Sequence, residues 1–352
     1  MTEHSQGRST VSSPGPGPRV LVTGGAGFIG SHFVRTALGV EADSGSPAYP
    51  GLADAQITVL DKLTYAGNPA NLDRVRQWPG FAFVQGDITD PALVDQLMAE
   101  HDAVIHFAAE SHVDRSIQGA ADFVVTNVVG TQTLLDAALR HGVGPFVHVS
   151  TDEVYGSISE GSWPETDPLQ PNSPYSASKA SSDLIALAYH RTHGLDVRVT
   201  RCSNNYGPHQ FPEKVIPLFI TNLLDGKQVP LYGDGLNIRD WLHVDDHCQG
   251  IALVFEKGRA GEVYNIGGGT EITNKELTDR LLNACGATWD SVEYVEDRKG
   301  HDRRYSVDWT KINSELGYQP RHDFGTGLAD TVAWYRDNRD WWEPLKKKAA
   351  LS

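Results

Sequence analysis

From residue 19 to residue 200 the chain alternates short apolar segments, rich in β-branched residues, with longer segments of helical periodicity. The apolar segments are almost continuously hydrophobic, which is typical of parallel strands covered on both faces. This alternation predicts an α/β fold, a doubly wound and Rossmann-like parallel sheet flanked by helices. The predicted strands are 19–23, 57–61, 81–84, 103–109, 146–150 and 196–200, and the clearest helices between them are 90–100 and 127–142.

The division of the chain follows from where this alternation weakens. A first domain is predicted over 19–200, and a smaller mixed α/β lobe over 201–352, of which segments such as 239–256 return to the first domain. Residues 1–18 are rich in Ser, Pro and Gly and are predicted to be a disordered tail, without the apolar core of a secretory signal. Residues 41–55 are predicted to be a solvated surface insertion without a role.

The overall charge excludes several classes of partner. The 352 residues carry a formal net charge of -15, which argues against a surface for nucleic acid or for an anionic membrane. No apolar run approaches the ~20 residues that a membrane helix needs. The three cysteines lie far apart, without metal-ligand spacing or a paired framework, as expected in a reducing cytoplasm. We therefore expect a cytoplasmic protein that acts on a small molecule.

A glycine-rich segment, GGAGFIG (24–30), follows the first predicted strand and opens a helix. Glycines allow the backbone to approach a pyrophosphate, which then lies at the helix N-terminus. The second strand ends at Asp61, whose carboxylate accepts hydrogen bonds from ribose hydroxyls and repels a 2′-phosphate. Asp61 lies further from the glycines than the usual ~20 positions, an excess that the 41–55 insertion explains. These features predict that 19–200 is an NAD-binding domain, which leaves 201–352 as the substrate lobe. They favour NAD over NADP, a preference that the adjacent Lys62 weakens slightly.

A second motif, SPYSASK (173–179), begins a helix after the fifth predicted strand, with Ser173 as N-cap and Pro174 at the first position. Tyr175 and Lys179 are four residues apart and therefore share one helix face. We expect the ammonium group and the helix N-terminus to lower the pKa of Tyr175 from ~10 towards neutrality. Tyr175 then becomes a base for an alcohol proton. The alternative is an exposed helical pair.

The segment VSTDEVYG (149–156) places a hydroxyl and two adjacent carboxyl groups directly after a buried strand. A helix cap needs only one of these groups, so the segment has two interpretations. It is either a cap with solvated acids or a proton-transfer pair formed by Asp152 and Glu153.

These motifs together resemble the extended short-chain dehydrogenase/reductase family and, within it, the dTDP-glucose 4,6-dehydratases. The resemblance runs from about residue 19 to residue 341, and the tail and the insertion lie outside it. Besides the three motifs above, it rests on LDKLTYAGN (60–68), HFAAESHVDRS (106–116), CSNNYGPHQFPEKVIP (202–217), YGDGLNIRDWLHVDDH (232–247) and DRKGHDRRYSVD (297–308).

The resemblance implies that the enzyme uses NAD to oxidise C4 of dTDP-glucose, eliminates water across C5 and C6, and returns the hydride to C6. It assigns Asp152 as the acid to the C6 hydroxyl and Glu153 as the base at C5. Thr151 would hydrogen-bond the C4 oxygen beside Tyr175, and Lys179 would also hold the nicotinamide ribose. We expect burial and the neighbouring Glu153 to raise the pKa of Asp152, which an acid near neutral pH requires.

The resemblance also implies two sets of binding residues. The cofactor set is Gly24, Gly27, Phe28, Ile29, Gly30, Asp61, Lys62, Leu63, Thr64, Asp87, Ile88, Ala108, Ala109, Glu110, Ser111, Thr126, Tyr175, Lys179 and Asn205. The substrate set is Ser111, His112, Thr151, Asn204, Lys214, Val215, Pro230, Leu231, Tyr232, Arg239, Asn274, Asp297, Arg298 and His301. Two members have other interpretations: Arg239 as a surface ion pair with Asp240, and His112 as a structural histidine.

Other functions remain open at this point. A UDP-sugar 4-epimerase or UDP-glucuronate decarboxylase shares most of the motifs but has no need of the acid at Asp152. A non-catalytic dinucleotide sensor would be expected to have lost Tyr175, Lys179 or the acids, and the chain keeps them. Thymine and uracil are not distinguished by the residues alone.

We expect no metal, since His209, His243 and His247 fall on separate loops. The resemblance implies a homodimer in which the helices at about 112–141 and 174–193 pair across a two-fold axis.

Overall fold

The computed structural model of the protein describes residues 17–41 and 49–349. Most of the predicted tail and residues 42–48 of the predicted insertion lie outside these ranges. The expectation of a solvated insertion is wrong for its remaining part, because Tyr49, Leu52 and Ala55 are buried in the core. A 3-10 turn, Pro50–Leu52, directs these apolar side chains inward, and the Tyr49 ring stacks on Phe33 with centroids 5.2 Å apart.

The described chain folds into twelve strands and twelve α-helices. The strands are β1 Arg19–Thr23, β2 Gln56–Asp61, β3 Phe81–Gln85, β4 Ala103–His106, β5 Phe146–Thr151, β6 Val197–Cys202, β7 Asn204–Tyr206, β8 Val229–Tyr232, β9 Ile238–His243, β10 Val263–Ile266, β11 Glu271–Thr273 and β12 Val292–Val295. The helices are α1 Phe28–Ala37, α2 Pro91–Met98, α3 Val113–Gln118, α4 Ala121–Phe123, α5 Thr131–His141, α6 Pro174–His193, α7 Val215–Leu224, α8 Val244–Lys257, α9 Asn274–Cys285, α10 Thr310–Leu316, α11 Phe324–Asp337 and α12 Arg339–Ala349.

Seven strands form one parallel sheet in the order β10-β6-β5-β4-β1-β2-β3, which confirms the predicted doubly wound, Rossmann-like α/β fold. The strand order of the sheet reverses between β1 and β4, so a crevice opens at their carboxyl ends. The strand predicted over 103–109 ends at His106, after which the backbone enters this crevice. The edge strand β3 departs from the expectation of burial on both faces, since Ala82 and Phe83 are exposed.

Two apolar layers cover this sheet. Helices α1 and α8 pack together over one face, and α2, α5 and α6 pack in a row over the other. The second half of the chain contributes more to the first domain than the predicted segment 239–256. Strand β10 also joins the seven-stranded sheet, where it pairs with β6.

The smaller lobe is built from two short sheets and the helices α7, α9 and α11. Strands β11, β9 and β7 form one sheet, and β12 pairs with β8 in the other. The lobe has its own apolar core, in which Trp342 and Tyr335 are fully buried.

The helix predicted over 127–142 begins as a π-helix, Val124–Gly130, that continues into α5. The longer stretch at 112–141 is interrupted at residues 119–120, between α3 and the continuous helix that α4, the π-helix and α5 form. The helix predicted at 174–193 is α6, which starts with a reciprocal cap between Ser173 and Ser176. In the part of the chain that is described, no helix combines the length and apolar character needed to cross a membrane.

Candidate active site

A cavity of about 470 Å³ occupies the crevice at the carboxyl ends of β1, β4 and β5, and both lobes contribute to its wall. It extends from the glycine-rich turn before α1 to the smaller lobe at Tyr232 and Asn274. Ligands of doubly wound folds bind in this position.

The glycine-rich turn makes the cavity wall at one end. Gly24 has a φ of 71°, and a Cβ there would lie 2.5 Å from the Ala108 nitrogen, so only glycine allows β1 and β4 to approach this closely. Helix α1 then begins at Phe28 with no side-chain cap and no acidic residue in its first turn. The positive end of α1 and its unpaired amides therefore face the cavity, as a pyrophosphate site requires.

Asp61 lies at the end of β2 and holds the turn in place. Its carboxylate accepts hydrogen bonds from the Ala26 nitrogen at 2.9 Å and the Leu63 nitrogen at 2.8 Å. Burial raises the pKa of Asp61, and these two hydrogen bonds oppose the rise. A Cβ at Gly67 would lie 3.0 Å from Asp61 Oδ1, so the glycine leaves the carboxylate open to the cavity. Each oxygen retains a lone pair for a ribose hydroxyl, and the residues fit a dinucleotide.

Helix α6 brings Tyr175 and Lys179 to the centre of the cavity. Lys179 is buried, and its Nζ donates to the Val149 carbonyl at 2.8 Å. Burial lowers the pKa of Lys179 to about 8, against the opposing effect of Asp183.

The expected lowering of the Tyr175 pKa is wrong for this structure. Burial raises the pKa of Tyr175 well above 10, and Glu153 adds to the effect. The physical reason is that the phenol is buried beside carboxyl groups, while the ammonium of Lys179 is engaged by a β5 carbonyl. The hydroxyl of Thr151 is a hydrogen-bond partner that opposes the rise.

The two adjacent acids begin a single 3-10 turn, Asp152–Tyr155, at the end of β5. Thr151 caps this turn by accepting a hydrogen bond from the Glu153 nitrogen at 3.3 Å. Asp152 is only 2% exposed, and its Oδ2 has no hydrogen-bond partner among the described residues. A cap with solvated acids is therefore ruled out.

The expectation for the acid is confirmed. Burial raises the pKa of Asp152 well above 3.8, with further contributions from Glu153 and Asp240. The pKa of Glu153 is also raised by burial, although Arg298, Lys214 and Arg239 favour its charged form. The site therefore holds a carboxyl group whose protonated form is favoured by burial, beside a second one that nearby cations help to ionise.

Arg239 is a buried cavity residue, which contradicts its interpretation as a surface ion pair with Asp240. Its guanidinium donates to the carbonyls of Ile238 at 2.7 Å and Asp302 at 2.9 Å, and it stacks 4.2 Å from the Tyr305 ring. Asp240 instead accepts hydrogen bonds from Ser203 and from the loop that begins at residue 268.

His112 combines both of its proposed roles. It lines the cavity, and its Nδ1 also caps α3 by accepting from the Arg115 nitrogen at 3.4 Å. Burial, with the nearby cations Lys214, Arg115 and Arg298, lowers its pKa to about 3, so the ring is neutral.

The structure brings nearly all of the predicted site residues to this cavity. The side chains of three others lie elsewhere: Leu63 packs against the core, Leu231 is buried in its strand, and Asp297 accepts a hydrogen bond from His301 Nδ1 at 2.6 Å. Sequence reasoning missed further lining residues, among them Gln210, Phe211, Glu213, Trp241 and Tyr305. All five lie within the quoted motifs, where Glu213 adjoins the predicted Lys214.

Possible metal ligands are found elsewhere. In residues 17–41 and 49–349 the one group that could hold an ion is Asp245, Asp246 and His322, which contains none of the three histidines considered above and does not line the cavity.

Known proteins match nearly the whole of this chain. The profile of the GDP-mannose 4,6 dehydratase family matches residues 21–331. The chain is 68% identical to a dTDP-glucose 4,6-dehydratase of Streptomyces antibioticus over 331 residues, 94% of this chain and 96% of that one.

Solved structures agree. The crystal structure of DesIV, the dTDP-glucose 4,6-dehydratase of Streptomyces venezuelae, was determined with NAD bound. It is 64% identical, has a TM-score of 0.90 and covers 93% of this chain and 99% of its own. The UDP-glucose 4-epimerase of Thermotoga maritima is more distant, at 33% identity and a TM-score of 0.82, over 91% and 99% of the two chains. The chain belongs to the dTDP-glucose 4,6-dehydratase family of extended short-chain dehydrogenases/reductases.

Proposed function

We propose that the protein is a lyase that converts dTDP-glucose into dTDP-4-keto-6-deoxyglucose with NAD as its cofactor. The observation that carries the proposal is the burial of Asp152, which favours the protonated form of its carboxyl group, next to Glu153 and within the same cavity as Tyr175 and Lys179. Its close relatives are named for this reaction.

The turn before α1, Asp61 and Lys179 would hold NAD, which would supply the hydride acceptor for C4 of the hexose and the hydride donor for C6. Tyr175 removes the C4 hydroxyl proton, and Thr151 positions the C4 oxygen. Because the free phenol has a raised pKa, Tyr175 needs the cationic environment of the loaded site before it acts as a base.

The elimination step needs one base and one acid on adjacent carbons. A ketone at C4 makes the C5 proton acidic, and Glu153 removes this proton. Asp152 donates its proton to the C6 hydroxyl, so that the C6–O bond breaks and water leaves. The two side chains diverge from neighbouring backbone positions in one turn, which suits two neighbouring carbons. Arg298, Lys214 and Arg239 keep Glu153 able to ionise.

The same cations serve a second purpose, since a nucleoside diphosphate carries negative charge. The Oδ1 of Asn204 and the Nε of Arg298 are buried without a hydrogen-bond partner among the described residues. Buried polar atoms of this kind ordinarily have partners, and a diphosphate sugar would supply them. We place the nucleoside against Lys214, Pro230 and Tyr232, which line the far end of the cavity.

Turnover of dTDP-glucose tests the proposal. The expected result is a 4-keto product, detected by its absorbance in alkali, with NAD that co-purifies and is not consumed. We expect slower turnover of UDP-glucose under the same conditions. Conversion of UDP-glucose to UDP-galactose without water loss would instead indicate an epimerase.

We also propose a homodimer, supported by exposed apolar side chains on the π-helix and α6. Val124, Val125 and Val129 are 48%, 49% and 45% exposed, and Leu184 is 54% exposed. Light scattering at micromolar concentration should give twice the chain mass, and Leu184→Glu should halve it. Leu236→Glu, at an exposed leucine outside this face, is the control. A wild-type monomer would contradict the proposal.

The cytoplasmic location stays a prediction.

A further inference from the structure

A group of buried charges lies beneath the active site and has no part in the proposed chemistry. Asp183 on α6 is fully buried, and Arg201 on β6 is 3% exposed. Arg201 Nε donates to Asp183 Oδ2 at 2.9 Å, and His148 Nε2 lies 3.3 Å from Asp183 Oδ1. Removing two charges from water is costly, so a buried ion pair is weak evidence for stability and calls for another explanation.

The second contact of Arg201 reaches the turn that carries the two acids. Its Nη1 donates to the Tyr155 hydroxyl at 2.7 Å, and its guanidinium lies 4.8 Å from the centre of that ring. The Tyr155 hydroxyl in turn donates to Asn265 Oδ1 at 2.9 Å. Tyr155 is fully buried, and it is the last residue of the turn that begins at Asp152.

The end of this turn has little freedom to move. Gly156 follows Tyr155 with a φ of 81°, and a Cβ there would lie 2.3 Å from the Gln170 carbonyl oxygen. A displacement of Tyr155 would therefore be transmitted back along the turn towards the acids.

The other partner of Arg201 lies on the helix of the oxidation step. Asp183 is one helical turn after Lys179 on α6, on the same face. Although burial alone would raise the pKa of Asp183, Arg201 and His148 lower it, so the carboxylate stays charged. One guanidinium thus connects the helix that carries Tyr175 with the turn that carries the acids.

We propose that Arg201 is a positioning residue that fixes the Asp152–Tyr155 turn against α6, so that the elimination groups stay aligned with a sugar held for oxidation. This inference rests on the proposed function. A shift of about 1 Å in catalytic groups is enough to cost up to ~10²-fold in rate. Loosening this connection should therefore slow water loss more than it slows C4 oxidation.

Tyr155→Phe tests this connection with the smallest change, since it removes one hydroxyl and keeps the ring. Two substrates separate the steps: dTDP-glucose undergoes both, whereas dTDP-6-deoxyglucose has no C6 hydroxyl to lose and reports oxidation through reduced nicotinamide absorbance at 340 nm. We expect product formation from dTDP-glucose to fall ~10-fold or more, with oxidation of the 6-deoxy substrate within about two-fold of wild type.

Tyr318→Phe is the matched control, because this tyrosine is also buried and its hydroxyl donates to the Gly267 carbonyl at 3.1 Å. It should leave the ratio of the two rates unchanged. Arg201→Lys keeps the charge but cannot bridge both partners, and it should change the ratio in the same direction as Tyr155→Phe. Melting temperatures of all variants separate lost folding from lost alignment.

A purely structural role for Arg201 predicts a different result. Both rates would then fall in proportion to the folded fraction, and an unchanged ratio in Tyr155→Phe and Arg201→Lys overturns the inference. Failure of the wild-type protein to dehydrate dTDP-glucose would overturn the proposed function and this inference together. Dehydration by wild type with no change of ratio would overturn the inference alone.

Discussion

Two pairs of adjacent acids each lie directly after a strand, and their environments differ sharply. Asp152 and Glu153 follow β5 and begin a 3-10 turn, whereas Asp245 and Asp246 follow β9 and lie in the first turn of α8. The pKa values of the first pair are raised by burial. The pKa values of the second pair are lowered.

The number of hydrogen-bond donors explains the difference. Asp246 accepts from the Arg321 nitrogen at 2.9 Å and the His322 nitrogen at 3.0 Å, and His322 Nδ1 lies 3.2 Å away. His32 Nε2 lies 3.0 Å from Asp245 Oδ1, and this bond is the main cause of the lowered Asp245 pKa. The positive end of α8 adds to the effect.

The active-site pair lacks such donors. Asp152 Oδ1 accepts only from the Thr151 hydroxyl, at 3.2 Å, among the described residues, and a one-turn 3-10 helix supplies little dipole. Adjacent acids in a sequence therefore do not by themselves indicate chemistry. A pair with donors holds the fold together, and a pair without them keeps a proton available for transfer.

Substitution of the active-site acids should give the largest effect. Asp152→Asn cannot supply the C6 proton, and Glu153→Gln cannot remove the C5 proton, so each should slow dehydration by ~10²–10⁴-fold. C4 oxidation should survive both, while Glu153→Gln should lose exchange of the C5 hydrogen with solvent deuterium, followed by mass spectrometry.

Asp245→Asn is the control from the second pair and should keep its turnover per folded molecule. Loss of C5 exchange in Asp152→Asn, with exchange retained in Glu153→Gln, would require the two roles to be reversed.

The pH dependence of water loss should distinguish the pairs next. Asp152 acts only when protonated, so elimination falls as the pH rises through its raised pKa. Glu153 acts only when ionised, so elimination falls as the pH drops through its own raised pKa. Because the two carboxyl groups interact, the two apparent pKa values of the pH profile belong to the pair and not to single residues. Rates of product formation against pH should form a bell, and a flat profile across both limbs would contradict the assignment.

Much of the fold could be predicted from the sequence, and so could the end of the cavity formed by the glycine-rich turn and Asp61. Short segments of the chain determine both. Gly24 and Asp61 act through backbone contacts set by their own strand ends, and the Tyr175–Lys179 spacing follows from helix geometry. Almost all of the substrate residues that were predicted from the family motifs also line the cavity.

The remaining features depend on distant parts of the chain. The raised pKa of Tyr175 comes from burial beside Glu153, and the burial of Tyr49 requires Phe33 and α8, which no local pattern reports. The contact from Arg201 to Tyr155 likewise joins residues 46 positions apart. Such features need the assembled structure.

The second acid pair should affect stability and not chemistry. Asp246→Asn removes a charged acceptor from the backbone amides of Arg321 and His322, and we expect a loss of about 1–3 kcal/mol in the free energy of unfolding. Urea denaturation measures this change, and turnover per folded molecule should stay near wild type. A stability equal to wild type with lost turnover would contradict the contrast between the two pairs.

The smallest expected effect is a pH dependence of the free energy of unfolding, which results from the contact between His322 and this second pair. Its pKa is raised above 6.5, chiefly by the hydrogen bond to Asp246, so its contribution to stability is complete below pH 6.5 and is lost as the pH rises through the raised value. Because the ring is part-exposed, we expect only about 0.2–1 kcal/mol. His322→Gln should therefore lower the free energy of unfolding more at pH 6 than at pH 9. The same comparison in an Asp246→Asn background should show little pH dependence, and an equal loss at both pH values in the wild-type background would contradict the ion pair.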